Sequence, residues 1–271
     1  MNELSKAIES GPLQIPGTYS ALTCRMIEDM GFSAAYVSGA AFSASDLAIP
    51  DIGLFTLTEL VAHTRKIANA VDIPLIVDAD TGFGEAINVE RTVIELESLG
   101  VAAIQLEDQE LPKKCGHLPG KVLVEPERMN HHLQVAAETA DDVLIVARTD
   151  ARAVEGVDQA LDRAKQYLDH GADWIFPEAL QDRAEFERFA NEIDAPLMAN
   201  MTEFGKSPLL KFSELAEMGY AAVIYPVTLL RMAMKATELA LSVIGSAGEQ
   251  TELLDVMQTR EELYELLHYD P

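Results

Sequence analysis

Residues 88–108 read Asn-Val-Glu-Arg-Thr-Val-Ile-Glu-Leu-Glu-Ser-Leu-Gly-Val-Ala-Ala-Ile-Gln-Leu-Glu-Asp. The segment 88–99 is amphipathic and predicts a helix, and Gly100 stands just beyond its end. Residues 103–108 form an apolar run closed by two carboxylates, which predicts a strand. The same lead-in recurs at Met30-Gly31-Phe32-Ser33-Ala34-Ala35, His170-Gly171-Ala172-Asp173 and Met218-Gly219-Tyr220-Ala221. Outward from there, short apolar runs ending in polar groups occupy 13–17, 34–39, 75–80, 103–108, 144–150, 174–178, 196–200 and 221–226. Their β-branched content, with little alternation at the centre, fits strands buried on both faces of a parallel sheet. Amphipathic segments at 58–71, 156–170 and 213–218 lie between them.

Eight strands alternating with helices over about 250 residues predict a (β/α)₈ barrel of the TIM type, with an open doubly wound α/β sheet as the alternative. No linker or low-complexity stretch divides the 271 residues, so a single domain 1–271 is expected, its barrel over about 10–247. Two helical patterns, 229–244 and 251–268, follow the eighth run, and the second exceeds what a barrel needs. Its apolar Leu253, Leu254, Met257, Leu263, Leu266 and Leu267 predict a C-terminal helix over about 249–269 that packs on another subunit.

The chain carries 20 Lys and Arg against 45 Asp and Glu, a formal charge of −25. That balance excludes a broad basic surface for nucleic acid, and an anionic ligand needs a local positive site. It suits either a high-salt habitat, where screening shortens electrostatic reach, or an ordinary acidic protein. No apolar run approaches the roughly 20 residues of a spanning helix. The start, Met-Asn-Glu-Leu-Ser-Lys, lacks the basic-then-apolar layout of a secretory signal. No membrane partner and a cytoplasmic location are expected. Cys24 and Cys115, the two cysteines, give neither a disulfide framework nor a paired metal-ligand spacing.

Active sites of such barrels gather where the strands end at the C-terminal face. The strand ends here supply Ser38 with Gly39, Asp78 and Asp80, Glu107 and Asp108, Arg148 and Asp150, Glu178, and Asn200 with Thr202. Any one of these could merely cap a loop or helix; their convergence marks a site. Asp78 and Asp80, two apart, point to one face of an ideal strand. With Glu107 they offer hard oxygen ligands that suit Mg²⁺ better than zinc, Mn²⁺ being the second candidate. Gly82-Phe83-Gly84 reads as a loop and not a phosphate-binding one, since no Gly-Lys-Ser/Thr follows. His131 and His132 fall on an expected surface helix and take no role.

Residues 107–121, Glu-Asp-Gln-Glu-Leu-Pro-Lys-Lys-Cys-Gly-His-Leu-Pro-Gly-Lys, set Cys115 among three lysines and a histidine. Nearby cations predict a stabilised thiolate, a lowered thiol pKa and proton exchange near neutral pH. Gly116, Pro119 and Gly120 give residues 109–121 the turn chemistry of a lid.

Val-Ser-Gly (37–39), Val-Asp-Ala-Asp-Thr-Gly-Phe-Gly (77–84), Gln-Leu-Glu-Asp-Gln (105–109), Lys-Lys-Cys-Gly-His (113–117), Ala-Arg-Thr-Asp (147–150), Phe-Pro-Glu-Ala (176–179), Asn-Met-Thr-Glu-Phe-Gly (200–205) and Met-Gln-Thr-Arg-x-Glu-Leu-Tyr (257–264) span nearly the whole chain. Together they resemble the isocitrate lyase/phosphoenolpyruvate mutase superfamily and, within it, the 2-methylisocitrate lyases. Lys-Lys-Cys-Gly-His is specific to the carbon–carbon lyase branch, whereas Asp-x-Asp is shared across the superfamily. The chain departs from some members at Ala40, where a Ser-Gly-Gly triplet is expected, and at 118–120, where an arginine often follows the histidine.

The resemblance implies a lyase that cleaves (2R,3S)-2-methylisocitrate, a tricarboxylate, to pyruvate and succinate. Asp78 and Asp80 would hold a divalent metal largely through waters, with Asp51 and Glu107 just outside its coordination sphere. Ser38, Gly39, Ala40, Gly116, His117, Arg148, Glu178, Asn200, Thr202 and Arg231 would bind the substrate. Lys113 and Cys115 would flank the breaking bond, Cys115 delivering a proton, with Glu107 and Arg148 as the other catalytic groups. Phe176, Ile224 and Pro226 would form a methyl-accepting pocket that favours methylisocitrate over isocitrate. Isocitrate, 2,3-dimethylmalate and oxaloacetate are the alternative substrates; a phosphonate-forming mutase and a non-catalytic binding protein are the readings from other classes. The resemblance also implies a homotetramer built from two helix-swapped pairs.

Overall fold

The computed structural model describes residues 2–270. Its eight strands are β1 (Leu13–Thr18), β2 (Ala35–Val37), β3 (Leu75–Asp78), β4 (Ala103–Glu107), β5 (Leu144–Thr149), β6 (Trp174–Pro177), β7 (Met198–Asn200) and β8 (Ala222–Tyr225). All pair in parallel, in the order β6-β5-β4-β3-β2-β1-β8-β7. A parallel bridge between Ile175 and Leu197 joins the two ends, so the sheet closes into a barrel and the open doubly wound alternative is excluded. Each strand falls on one of the eight apolar runs.

Helix α1 (Glu3–Glu9) precedes the barrel, and its Leu4 plugs the N-terminal end, packed with the barrel interior. The strands are linked by α2 (Ala21–Asp29), α3 (Gly39–Asp46) with α4 (Leu57–Ala68), α5 (Ala86–Glu97), α6 (Pro126–Thr139), α7 (Val157–Asp169), α8 (Arg183–Glu192) and α9 (Phe212–Met218). Local chemistry sets their ends: a reciprocal Thr56–Glu59 capping box opens α4, and Gly219 in the left-handed conformation closes α9. Residues 131 and 132 lie on α6, but only His131 faces solvent. His132 is buried, and that burial lowers its pKa.

Strand parity carries the interior up into the site. The inner core contains Tyr36, Ile76, Ala103, Val146, Trp174, Phe176, Met198 and Ile224, while Val37, Val77, Ile104, Ala147 and Ile175 face outward against the helices. Successive side chains alternate across a strand. Two residues on from these interior positions lie Ser38 and Asp78 from the first strands, Arg148 and Glu178 from β5 and β6, and Asn200 after Met198. Glu107 stands on the same face of β4 as Ala103. Polar groups thus top the apolar barrel because they continue its inner face.

The chain's end differs from expectation. Residues 251–268 do not form one helix: a 3₁₀ turn (Thr251–Val256) is followed by extended Met257 and a separate short helix, α11 (Arg260–Leu266), opened by a Thr259–Glu262 capping box. This segment lies against α2 of its own barrel, where Arg25 donates to the Leu267 carbonyl at 3.2 Å. Leu253 and Leu266 are buried there, while Leu254, Val256, Met257 and Leu267 stay exposed; α10 (Thr228–Ala247), 20 residues long, has no buried residue. Among the described residues no helix is long and apolar enough to cross a membrane.

Candidate active site

The site is built on a buried hydrogen-bond chain. Tyr36 donates its hydroxyl to Gln105 Oε1 at 2.6 Å, and Gln105 Nε2 donates to Asp78 Oδ1 at 3.0 Å. The backbone N–H groups of Gly39 and Asp80 also donate to Asp78, each at 3.2 Å. Asp78 therefore has a single orientation. Asp80 lies beyond the end of β3 with φ +49°, so a left-handed turn aims it, not the strand alternation expected from the sequence.

Asp78, Asp80 and Glu107 each present an oxygen within 4.8 Å of the others. Both carboxylate oxygens of Asp80 and of Glu107 are buried and accept no hydrogen bond of regular geometry. Lys113 Nζ stands 2.7 Å from Asp80 and Arg148 3.0 Å from Glu107. Burial pushes Asp80 up to about 7 despite Lys113, and burial pushes Glu107 well above the carboxylate range despite Arg148. One oxygen of Asp80 and one of Glu107 are thus left buried with no cation or donor against them, and in a cluster with more negative than positive charge they suit a hard divalent cation. The residues present fit such an ion.

The lid folds over this cluster, its base joined by an antiparallel bridge between Gln109 and Leu123. Its lysines are not free to serve the thiol. Lys113 is 2% exposed and pairs with Asp51 and Asp80; Lys121 pairs with Asp150 at 2.6 Å; Lys114 donates to the Gly120 carbonyl. The expected lowering of the Cys115 pKa is therefore reversed. Burial pushes the thiol up, the His117 backbone N–H opposes it, and nearby Glu178 adds to the rise. Burial therefore favours the thiol form of Cys115, and the lysines expected to oppose it are paired elsewhere.

Cys115 faces a cavity of about 100 Å³ whose wall includes Ser38, Ala40, Asp51, Asp78, Gly116, His117, Arg148, Glu178, Asn200, Thr202 and Arg231. Phe176, Ile224 and Pro226 form its apolar side. Gly39, Asp80, Glu107 and Lys113 lie outside this lining. The Lys113 ammonium is drawn to the carboxylates beneath.

Arg148 binds Asp150 and Glu107, each at 3.0 Å, and its guanidinium lies 5.4 Å from the Phe176 ring centre. Burial alone would raise Glu178; Arg148 and His117 instead hold it well below the carboxylate range. His117 Nδ1 accepts from the Lys206 N–H at 2.9 Å, which leaves Nε2 to carry the proton, 3.0 Å from Glu178. Asn200 donates to Glu178 at 3.1 Å and accepts from the Thr202 N–H. The lid sits this close because residue 116 is glycine: a Cβ there would lie 2.4 Å from Glu178 and 2.6 Å from Arg148.

Two expected binding groups are engaged within the protein. Ser38 Oγ caps α3 by accepting the Ala41 N–H, and half-exposed Arg231 is held by the Glu203 carboxylate at 3.0 Å and carbonyl at 2.7 Å. The sequence reading missed Tyr36, Gln105, Lys121 and Glu203. Parity with Asp78 and Glu107 was an available signal for Tyr36 and Gln105. No local signal pointed to Lys121 or Glu203, whose partners are remote in sequence.

The sequence profile of the phosphoenolpyruvate phosphomutase family matches residues 4–244. This chain belongs to that family. A 2-methylisocitrate lyase of Aeropyrum pernix is 54% identical over 254 residues, which cover 94% of this chain and 82% of that one. Solved structures of the phosphoenolpyruvate phosphomutase family superpose closely. Oxaloacetate acetylhydrolase in complex with 3,3-difluorooxalacetate has a TM-score of 0.93 at 32% identity, covering 97% of this chain and 91% of that one. Phosphonopyruvate hydrolase in complex with oxalate and Mg²⁺ has a TM-score of 0.88 at 29% identity, covering 99% and 95%.

Proposed function

We propose that this chain is a carbon–carbon lyase that cleaves 2-methylisocitrate to pyruvate and succinate with Mg²⁺ as its metal. The observation that carries the reading is a half-buried cysteine whose pKa is raised by burial, facing the same cavity as Arg148, His117 and Glu178 and set above a metal-fitting carboxylate cluster. The 54% identity to a 2-methylisocitrate lyase selects the substrate. Asp78, Asp80 and Glu107 would hold the metal, which supplies Lewis acidity toward the substrate hydroxyl and its neighbouring carboxylate. Arg148, His117 and Asn200 bind carboxylates and stabilise charge that builds up as the bond breaks. The closed lid excludes water. The substrate hydroxyl loses its proton as its carbon becomes the pyruvate carbonyl, and Cys115 delivers one proton to the carbanion that becomes succinate. Its thiolate takes up a proton before the next turnover, so the protons balance.

Phe176, Ile224 and Pro226 supply an apolar wall for the substrate methyl. One methyl in such a pocket is worth about 1–3 kcal/mol, or roughly 10–200-fold. With Mg²⁺ present, kcat/KM is expected to be highest for methylisocitrate and lower by about that factor for isocitrate. Equal or better cleavage of isocitrate, 2,3-dimethylmalate or oxaloacetate overturns the assignment.

We also propose that the chain assembles as a homotetramer in the cytoplasm, with α10 at the interface between subunits. Met232, Met234, Leu239, Leu241 and Ile244 on α10 are each about half or more exposed, the kind of apolar face that a neighbouring barrel covers. Light scattering is expected to give a tetramer for the full chain and a smaller species when Leu239 and Leu241 are both changed to Glu. A monomeric full chain at micromolar concentration, or an unchanged mass in the variant, refutes it.

A further inference from the structure

Lys121 stands at the far end of the lid and is 6% exposed. Its ammonium lies 2.6 Å from Asp150 Oδ1 and donates to the carbonyl of Gly116, the residue after Cys115. Asp150 is anchored in turn: its N–H donates to Asp108 Oδ1 at 2.8 Å, and Asp108 Oδ2 accepts the Thr149 and Tyr167 hydroxyls at 2.7 and 2.8 Å. One buried ammonium therefore ties the turn that carries Cys115 to a rigid network at the end of β5. Asp150 also accepts from Arg148, Nε at 3.0 Å and the terminal nitrogen at 3.3 Å.

We propose that Lys121 is the latch of the lid, a positioning residue that holds the Cys115 turn over the cavity, and that Asp150 couples this latch to substrate through Arg148. The coupling rests on the lyase reading above. Asp150 has one negative charge and faces two buried cations. A substrate carboxylate that engages Arg148 leaves Asp150 more fully to Lys121, so the lid is held more tightly on an occupied cavity. On an empty cavity the two cations share Asp150. The return of the ammonium to water then offsets much of the pairing, because desolvating a buried ion pair costs about as much as its attraction returns. The latch can therefore open and close at each turnover.

Lys121→Met keeps the apolar stem and removes the ammonium; Asp150→Asn keeps an acceptor for Arg148 and removes the charge. Alkylation of Cys115 by iodoacetamide, read by mass spectrometry on the full chain with Mg²⁺, reports the lid without needing turnover. Cys24, buried and pushed up to about 12, is the silent internal control. Each variant is expected to alkylate at Cys115 at least about tenfold faster than the parent without ligand. A kcat lower by about 100-fold is also expected, from misplacement of the donor. The double variant should be no worse than the more affected single one, since both break one interaction. Succinate should slow alkylation in the parent and not in the variants. Unchanged alkylation in either folded variant overturns the latch, and a parent that succinate does not protect overturns the coupling. A parent that fails to cleave methylisocitrate refutes the lyase reading instead, while ligand-free alkylation still decides the latch.

Discussion

Cys115→Ser is expected to lower kcat for methylisocitrate cleavage by about 10²–10⁴-fold, with succinate affinity kept within about tenfold. Serine preserves the size and hydrogen bonding of the side chain, so the cavity wall formed by Arg148, His117 and Glu178 persists. What it removes is acidity: a hydroxyl releases a proton to a carbanion far less readily than a thiol. The raised thiol pKa favours this role, because the donor must still hold its proton when the bond breaks. Steady-state rates and product inhibition measure the two quantities. Turnover equal to the parent's would remove Cys115 from the chemistry and favour a mutase, which needs no proton-donating thiol.

Chelation of divalent metal is expected to abolish turnover in the parent, with added Mg²⁺ restoring it. Asp80→Ala is expected to stay at least about 10³-fold down at any Mg²⁺ concentration, since a metal contributes several kcal/mol of charge stabilisation. Asp80 is 3% exposed, and its buried oxygens accept no regular hydrogen bond. Its removal takes a ligand from the cluster and one of the two carboxylates that hold Lys113. Calorimetric Mg²⁺ titration should show weaker binding in Asp80→Ala independently of activity. Full activity in excess chelator would refute a metal role for the cluster.

The sequence by itself determined the eight strands, their parallel order of alternation with helices, and the rim on which Asp78, Glu107, Arg148, Glu178 and Asn200 meet. These follow from short-range rules: a glycine just beyond four of the linking helices, apolar runs of strand length, and a period of two that carries the inner face upward. Only the tertiary structure decided where the lid's charges go. Lys113 meets Asp51 across 62 positions of sequence and Lys121 meets Asp150 across 29, so neither ammonium is left to lower the Cys115 pKa, which burial raises. Composition around a cysteine gives the number of nearby cations, not their partners, and a paired, buried cation exerts little net pull on a third group. The break at Met257 and the bare face of α10 were likewise decided by packing, because an amphipathic pattern says that a surface must be covered but not by which neighbour.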